Sequence, residues 1–328
     1  VVWHGPVRAL QVAVLGVAVG LAAGAGASTA FLLACGLLAG AAHGLVNPAS
    51  STILLLAAPA RMRSMIFSIK QTGVPAGGVI AGTLVPLLLL WTSWQNAVLV
   101  LALASSALLA VLFPFRRIYD RDRRRTPVQI RRFATPVAEA WANRRIRELA
   151  VVSGVYSAVQ MSFTTYLVSF LKIELAYSLV AAGLIFAAAQ IAGVLGRVVW
   201  GAVADRILSP RRVLAILGLT MALCGAAVSS FSPAWPLWAL LGTCLLYGAT
   251  AVGWNGVFLA EVARLAPDGR VAIITGGTQF FTFAGVFIGP PVFGAVAAAA
   301  GSYAAGFVLI AALPFVAVLA LVVRRTGG

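Results

Sequence analysis

Two cations stand where the sequence is otherwise almost wholly apolar. Lys70 lies in the stretch FSIKQTGVPAGG, and Arg197 lies in GVLGRVVWG. A cation in hydrocarbon costs at least about 2.5–3.5 kcal/mol, so something must offset it. The eight acids are Asp120, Asp122, Glu139, Glu148, Glu174, Asp205, Glu261 and Asp268. All fall in expected loops or at expected helix ends, and none falls at mid-depth. An anionic solute would supply the missing charge, since a guanidinium grips a carboxylate or a planar oxyanion through two parallel hydrogen bonds. Three bland alternatives stay open. Lys70 snorkels along its stem to the surface, Arg197 partners the loop of Asp205, or either cation pairs with an acid in leading helices expected to be missing before Val1.

Other polar residues share helical faces. Tyr156, Gln160 and Thr164 recur at every fourth position, which sets one stripe on a helix. The stripe lines a cavity or bonds a neighbouring helix. His43 and Asn47 share a face in the same way. His43 is the one expected mid-membrane group that titrates near neutral pH, which makes it the candidate for carrying a coupling proton; bonding to a neighbouring helix is the commoner role. Tyr247 and Trp254 sit seven apart and wall a cavity or simply pack. Gln71 and Gln279 donate to a solute or stabilise helix contacts. Cys35, Cys224 and Cys244 match no metal spacing and read as small apolar fillers.

The elements that must position these residues are legible from composition. The chain has 328 residues, 61% hydrophobic and 10% charged, with a mean hydropathy of +1.00. Water-soluble domains average about 45–50% apolar and about 25% charged. Apolar runs of about 20 residues, each sufficient to cross a bilayer as a helix, recur along the whole length. The expected spans are 9–25, 30–57, 65–90, 96–114, 149–171, 178–203, 213–231, 237–262, 271–298 and 303–323. The fold class is therefore an all-α multi-pass membrane protein. A net charge of +16 does not signal nucleic acid, because the arginines cluster in alternate connections. One set holds Arg8, Arg61 and Arg63, the basic stretch 115–148, Arg206, Arg211 and Arg212, Arg264 and Arg270, and Arg324 and Arg325. The other set contains Lys172 as its single cation. The positive-inside rule places the first set, and both visible ends, in the cytoplasm. The stretch 115–148 reads as a basic linker touching anionic headgroups. It separates residues 1–114, with four spans, from residues 149–328, with six.

The two sides repeat one another. Shifting residues 47–80 by 208 aligns Asn47 with Asn255, Ala58 and Pro59 with Ala266 and Pro267, and Ile66 with Ile274. Gln71 then meets Gln279, Ala76 and Gly77 meet Ala284 and Gly285, and Ile80 meets Ile288. Parallel repeats are a transporter device, with the solute bound near the repeat interface. A six-span second half implies a six-span first half. With Val1 in place of methionine, the chain is expected to be a fragment lacking two leading helices.

The segment GRVVWGAVADRILSPRR, Gly196 to Arg212, resembles the cytoplasmic loop motif of the major facilitator superfamily. Gly201, Asp205, Arg206, Arg211 and Arg212 occupy its places, with one extra residue before the basic pair and Ser-Pro in place of the usual glycine turn. The resemblance covers the whole chain. It implies two pseudo-symmetric halves of six helices, about ten of the twelve helices being present. It also implies that the motif acts as a latch loosening as the halves rock. Lys70 and Arg197 would then lie on the fifth and eighth helices, facing one water-filled space from opposite halves. Lys70 is seven residues past Arg63 and Arg197 eight before Asp205, so both sit about 10–12 Å inward. Anion carriers of the nitrate/nitrite, cyanate-permease-like and oxalate types place an arginine in a similar setting, matched here by Gly196, Arg197, Gly201 and Asp205. GVPAGG only loosely resembles the antiporter motif of drug exporters, its proline being one place off.

These readings point to a secondary active transporter of a small anion, cycling by alternating access in a bacterial inner membrane. Its expected partners are the lipid bilayer, the anionic solute and a coupling proton or counter-anion, and the protein is expected to be monomeric. No hydrolase triad, phosphate loop, metal cluster or cofactor motif is present in the sequence. The rivals are a proton-coupled exporter of drugs or metabolites, and a non-transporting membrane sensor or inactive remnant.

Overall fold

The computed structural model of the chain describes residues 5–26, 28–120 and 135–322. Among these residues the secondary structure is helical, with no strand. The long helices are α1 (Pro6–Gly24), α2 (Thr29–His43), α3 (Val46–Ala57), α4 (Arg63–Leu89) and α5 (Trp94–Leu112). Two short helices, α6 (Arg116–Tyr119) and α7 (Thr135–Ala142), follow. The remainder are α8 (Arg144–Ile173), α9 (Leu179–Arg206), α10 (Pro210–Ser229), α11 (Leu237–Ala251), α12 (Asn255–Leu265), α13 (Val271–Ala300) and α14 (Tyr303–Val322). Every expected span has its helix or helix pair. Among the described residues seven segments are long and apolar enough to cross a membrane, the consecutive pairs α2–α3 and α11–α12 each counting once. Much of the basic linker, and Asp122, Arg324 and Arg325, lie outside the described residues.

Local chemistry explains the ends. Ser28, Ser93, Asn143 and Ser178 each accept a backbone N–H from the first turn that follows, meeting donors that a helix start leaves orphaned. Pro6 and Pro210 open α1 and α10, where a missing N–H does no harm.

Two expected spans are each broken in the middle. The span 30–57 divides at Gly44 and Leu45, between α2 and α3, and 237–262 divides at 252–254, between α11 and α12. Pro48 explains the first break. An uninterrupted helix would drive its ring into the carbonyl of residue 44; instead Pro48 sits in the first turn of a new helix. No proline accounts for the second break, where Gly253 and Gly256 flank the opening of α12. The breaks fall at positions related by the 208-residue repeat.

The chain forms two compact units. Unit 1 comprises 1–57, 74–137 and 266–276, and unit 2 comprises 58–73, 138–265 and 277–328. The boundaries fall inside α4 and α13 rather than in the basic linker alone. Residues 58–73, which sequence order assigns to the first half, group with the second. In unit 1, α1 packs along α2 and α5. In unit 2, α10 packs along α14, α9 along α11, and α8 along α14. The core of unit 2 is aromatic, with Phe163, Phe170, Tyr247, Trp254, Phe258, Phe293 and Phe307 all buried.

Candidate functional site

The seam between α9 and α11 is built from small residues. A Cβ on Gly196 would lie 2.9 Å from the Cα of Ala249, and one on Gly248 would lie 3.0 Å from the Cα of Ala189. Such positions let helix backbones approach closely. The approach brings α9 side chains within reach of carbonyls that the α11 break leaves without helical amides. Trp200 Nε1 donates to the carbonyl of Ala249 at 3.0 Å, and Arg197 Nε donates to that of Val252 at 2.9 Å. Arg197 Nη1 donates to the carbonyl of Gln71 on α4.

Arg197 is 3% exposed and forms no ion pair among the described residues. Two carbonyl dipoles hold it, one at the negative end of α11. Sequence reasoning expected this guanidinium beside open water, and here it is buried. The difference arises from the broken helix, whose carbonyls are not written in any side-chain pattern. Lys70 donates from Nζ to Gln71 Oε1 at 2.8 Å. Gln71 therefore serves both cations, one through its side chain and one through its backbone. The repeat-related Gln71 and Gln279 are each 6% exposed.

A second cluster forms where α12 begins. Gln160 Oε1 on α8 accepts from Trp254 Nε1 and from Asn255 Nδ2, both at 3.1 Å. Tyr156 stands edge-on to Trp254, with ring centroids 5.8 Å apart. The expected stripe diverges in its partners. Tyr156 donates its hydroxyl to the carbonyl of Leu214, while Thr164 bonds back to Met161. Tyr247 is fully buried against Phe163, centroids 4.4 Å apart. In unit 1, His43 is the last residue of α2, beside the break, and Asn47 lies in the first turn of α3.

Two of the motif residues, Gly201 and Asp205, meet the start of α4. Asp205 accepts the amides of Ser64 at 2.9 Å and Met65 at 2.8 Å, so a carboxylate closes the positive end of that helix. Gly201 and Gly256 lie against the backbone of the same turn, around Ser64 to Ser68. Arg211 bonds Glu148 at 3.0 Å and reaches Glu261 at 4.0 Å, and Glu261 is held by Arg264 at 2.6 Å. Arg206 and Arg212 are exposed. Sequence reasoning missed Glu261, which is 1% exposed; its spacing of three from Arg264 was the available signal. It also missed Asp120, read as a linker acid. Asp120 is buried in unit 1, accepting the amides of Val7 at 3.0 Å and Arg8 at 3.2 Å. No group of three or more His, Cys, Asp or Glu able to hold a metal occurs among the described residues.

Residues 3–290 match the Major Facilitator Superfamily. The chain is 29% identical over 223 residues to the probable nitrate/nitrite transporter NarK2 of Mycobacterium tuberculosis, an alignment covering 68% of this chain and 54% of that protein. It thus spans about half the length of the relatives it matches. Among solved structures, the human organic anion transporter MFSD10 (TETRAN) superposes with a TM-score of 0.79 at 18% identity, covering 98% of this chain and 78% of that one. The fucose:proton symporter FucP of E. coli superposes with a TM-score of 0.76 at 16% identity, covering 98% and 84%. A bacterial homologue of the iron transporter ferroportin, in its outward-facing state, does so with a TM-score of 0.71 at 18% identity, covering 98% and 82%. At these identities the structural likenesses establish the fold.

Proposed function

The chain belongs to the Major Facilitator Superfamily, and from that premise we propose that it moves a small oxyanion, of nitrate or nitrite type, across the membrane by alternating access. It is a multi-pass membrane transporter of a family that is not an enzyme class. The observation that carries the anion reading is Arg197, a buried guanidinium held by neutral carbonyls rather than by a carboxylate. Carbonyls satisfy N–H donors without cancelling the charge. A guanidinium has five donors, and those of Arg197 beyond the two spent on carbonyls suit a planar oxyanion. In this reading the carbonyls of Val252 and Gln71 hold the guanidinium while the site is empty, and an arriving anion takes over part of that role as the helices shift. Lys70 adds a second positive charge to the same locality. The likeness to a probable nitrate/nitrite transporter supports the class of cargo. The positive-inside pattern supports arginine-rich connections on the cytoplasmic side. His43, placed where α2 breaks, is the candidate for proton coupling.

Uptake of labelled nitrate, nitrite and oxalate into vesicles holding the protein tests this. Arg197→Lys keeps the charge but loses the fork, and is expected to lower nitrate or nitrite uptake at least about tenfold, the effect of losing roughly one charged hydrogen bond. Arg197→Ala and Lys70→Ala are expected to lower it further. Unchanged uptake of all three anions in every variant would overturn the reading.

A further inference from the structure

Unit 1 carries a cleft of about 800 Å³ lined by Arg8, Gln11, Val12 and Leu15 of α1 and by Leu109, Ala110, Phe113 and Arg116 from α5 and its end. Its composition is graded. Two arginines stand at the mouth, and apolar side chains make up most of the wall below. From Arg8 to Leu15 is seven residues, about 10 Å along the helix, or about a third of the hydrocarbon thickness of a bilayer. The mouth is built rather than incidental. The Asp120 carboxylate, just after α6, straddles the amides of Val7 and Arg8, so α6 with Arg116 is fastened to the start of α1 with Arg8. Neither arginine forms an ion pair among the described residues. Arg116 rests over the ring of Phe113, 5.4 Å from its centroid.

The repeat shows that this face is one that a six-helix half leaves open. Both α1 and α10 begin with proline, and for this helix pair a shift of 204, four less than the shift relating residues 47–80 to their counterparts, places Arg8 on Arg212, Val12 on Ile216 and Leu15 on Leu219. On α10, Ile216 is 40% and Leu219 42% exposed. Their counterparts Val12 and Leu15 are 58% and 49% exposed. A face turned outward on a membrane helix meets lipid.

We infer that this cleft is a binding site for one anionic phospholipid of the leaflet beside the arginine-rich connections. Arg8 and Arg116 bracket the phosphate, and an acyl chain lies along Val12, Leu15, Leu109 and Phe113. Charge complementarity selects this occupant: a zwitterionic lipid brings an ammonium toward two guanidiniums, and an apolar helix leaves both charges unmet. The site is separate from the cargo residues of unit 2.

Native mass spectrometry of the detergent-solubilised chain, titrated with dioleoylphosphatidylglycerol, dioleoylphosphatidylcholine or glycerol 3-phosphate, tests the site. One phosphatidylglycerol is expected to bind in preference to phosphatidylcholine, and glycerol 3-phosphate is not expected to displace it. Each of Arg8→Ala and Arg116→Ala is expected to weaken binding about fivefold, and the pair about 30-fold. Val12→Trp narrows the cleft where the acyl chain would lie, with both arginines kept, and is expected to weaken binding. Arg212→Ala, at the repeat-related position, is expected to leave it intact. Equal binding of the two lipids, or displacement by the chainless phosphate, overturns the proposal. So does undiminished binding in Val12→Trp, which decides the matter if the double variant fails to fold.

Discussion

Replacing Asp205 with alanine removes the acceptor of two consecutive amide hydrogens at the first turn of α4, those of Ser64 and Met65. Bonds to a charged acceptor contribute about 1.5–3 kcal/mol each when dry. Asp205 is half-buried, so water recovers a share once the carboxylate is gone. A net loss of about 2 kcal/mol is a fair figure for the pair, and each 1.4 kcal/mol is about tenfold in an equilibrium constant. The population in which the start of α4 has lifted from α9 should therefore rise about 30-fold. Ser64 reports it, being 2% exposed. A Ser64→Cys substitution, with the native cysteines replaced, reacts with a water-soluble maleimide in proportion to the opened population when reclosing is fast. The labelling rate is expected to rise about 30-fold in Asp205→Ala. Asp205→Asn keeps one acceptor oxygen without the charge and is expected to raise it about fivefold, for a loss of about 1 kcal/mol. Equal rates in Asp205→Ala and its parent would refute the capping role, and equal rates in the alanine and asparagine variants would refute the charge argument.

Two further outcomes follow from packing and from hydrogen bonding. A Cβ on Gly201 would sit 2.7 Å from Ser68 Oγ, 2.8 Å from Met65 Cα and 2.9 Å from the Ser64 carbonyl oxygen. Gly201→Ala is accordingly expected to destabilise by about 1–3 kcal/mol in detergent thermal unfolding, whereas Gly242→Ala, inside α11 with nothing within 4 Å, should leave the midpoint equal or higher. Gln160→Leu removes the oxygen that accepts from both Trp254 and Asn255. Orphaning donors there is expected to cost about 1–3 kcal/mol each, read as a midpoint lower by several degrees; an unshifted midpoint would show that the cluster contributes nothing to stability.

The spans were legible because each must hide its backbone from lipid within one continuous apolar run, and that demand is written in composition. The break at Gly44 was legible in principle, since Pro48 lies four residues on. The break at Val252 was not, because its carbonyl is met by Arg197, a residue 55 positions away in sequence. The same limit recurs at the site. Side-chain spacing sets Tyr156, Gln160 and Thr164 at every fourth position of α8, but their partners are Leu214, Trp254 with Asn255, and Met161. Spacing fixes direction; the neighbour met in that direction is a property of the packing. The motif residues were found by type, while the use of Asp205 on two amides of α4 belongs to an approach that small residues permit.

Asp205 and Asp120 show one device used twice. Each carboxylate straddles two successive amides in the first turn of a helix far off in sequence: Ser64 and Met65 of α4 for Asp205, Val7 and Arg8 of α1 for Asp120. A helix start in a protein of this composition faces a particular difficulty. Its first amides have no partner within the helix, and each is costly to leave unmet wherever water is scarce. The helices α1 and α4 lack an acidic residue in their first turn, so the cap must come from elsewhere. A cap borrowed from a distant segment fixes the position of one helix end against another. At α1 this fastening draws Arg8 and Arg116 to the mouth of one cleft. At α4 it anchors the helix that carries Lys70 and Gln71 beside the helix that carries Arg197. Asp205 and Asp120 thus act as struts, and Arg197, on the same helix as Asp205, is held by neutral carbonyls.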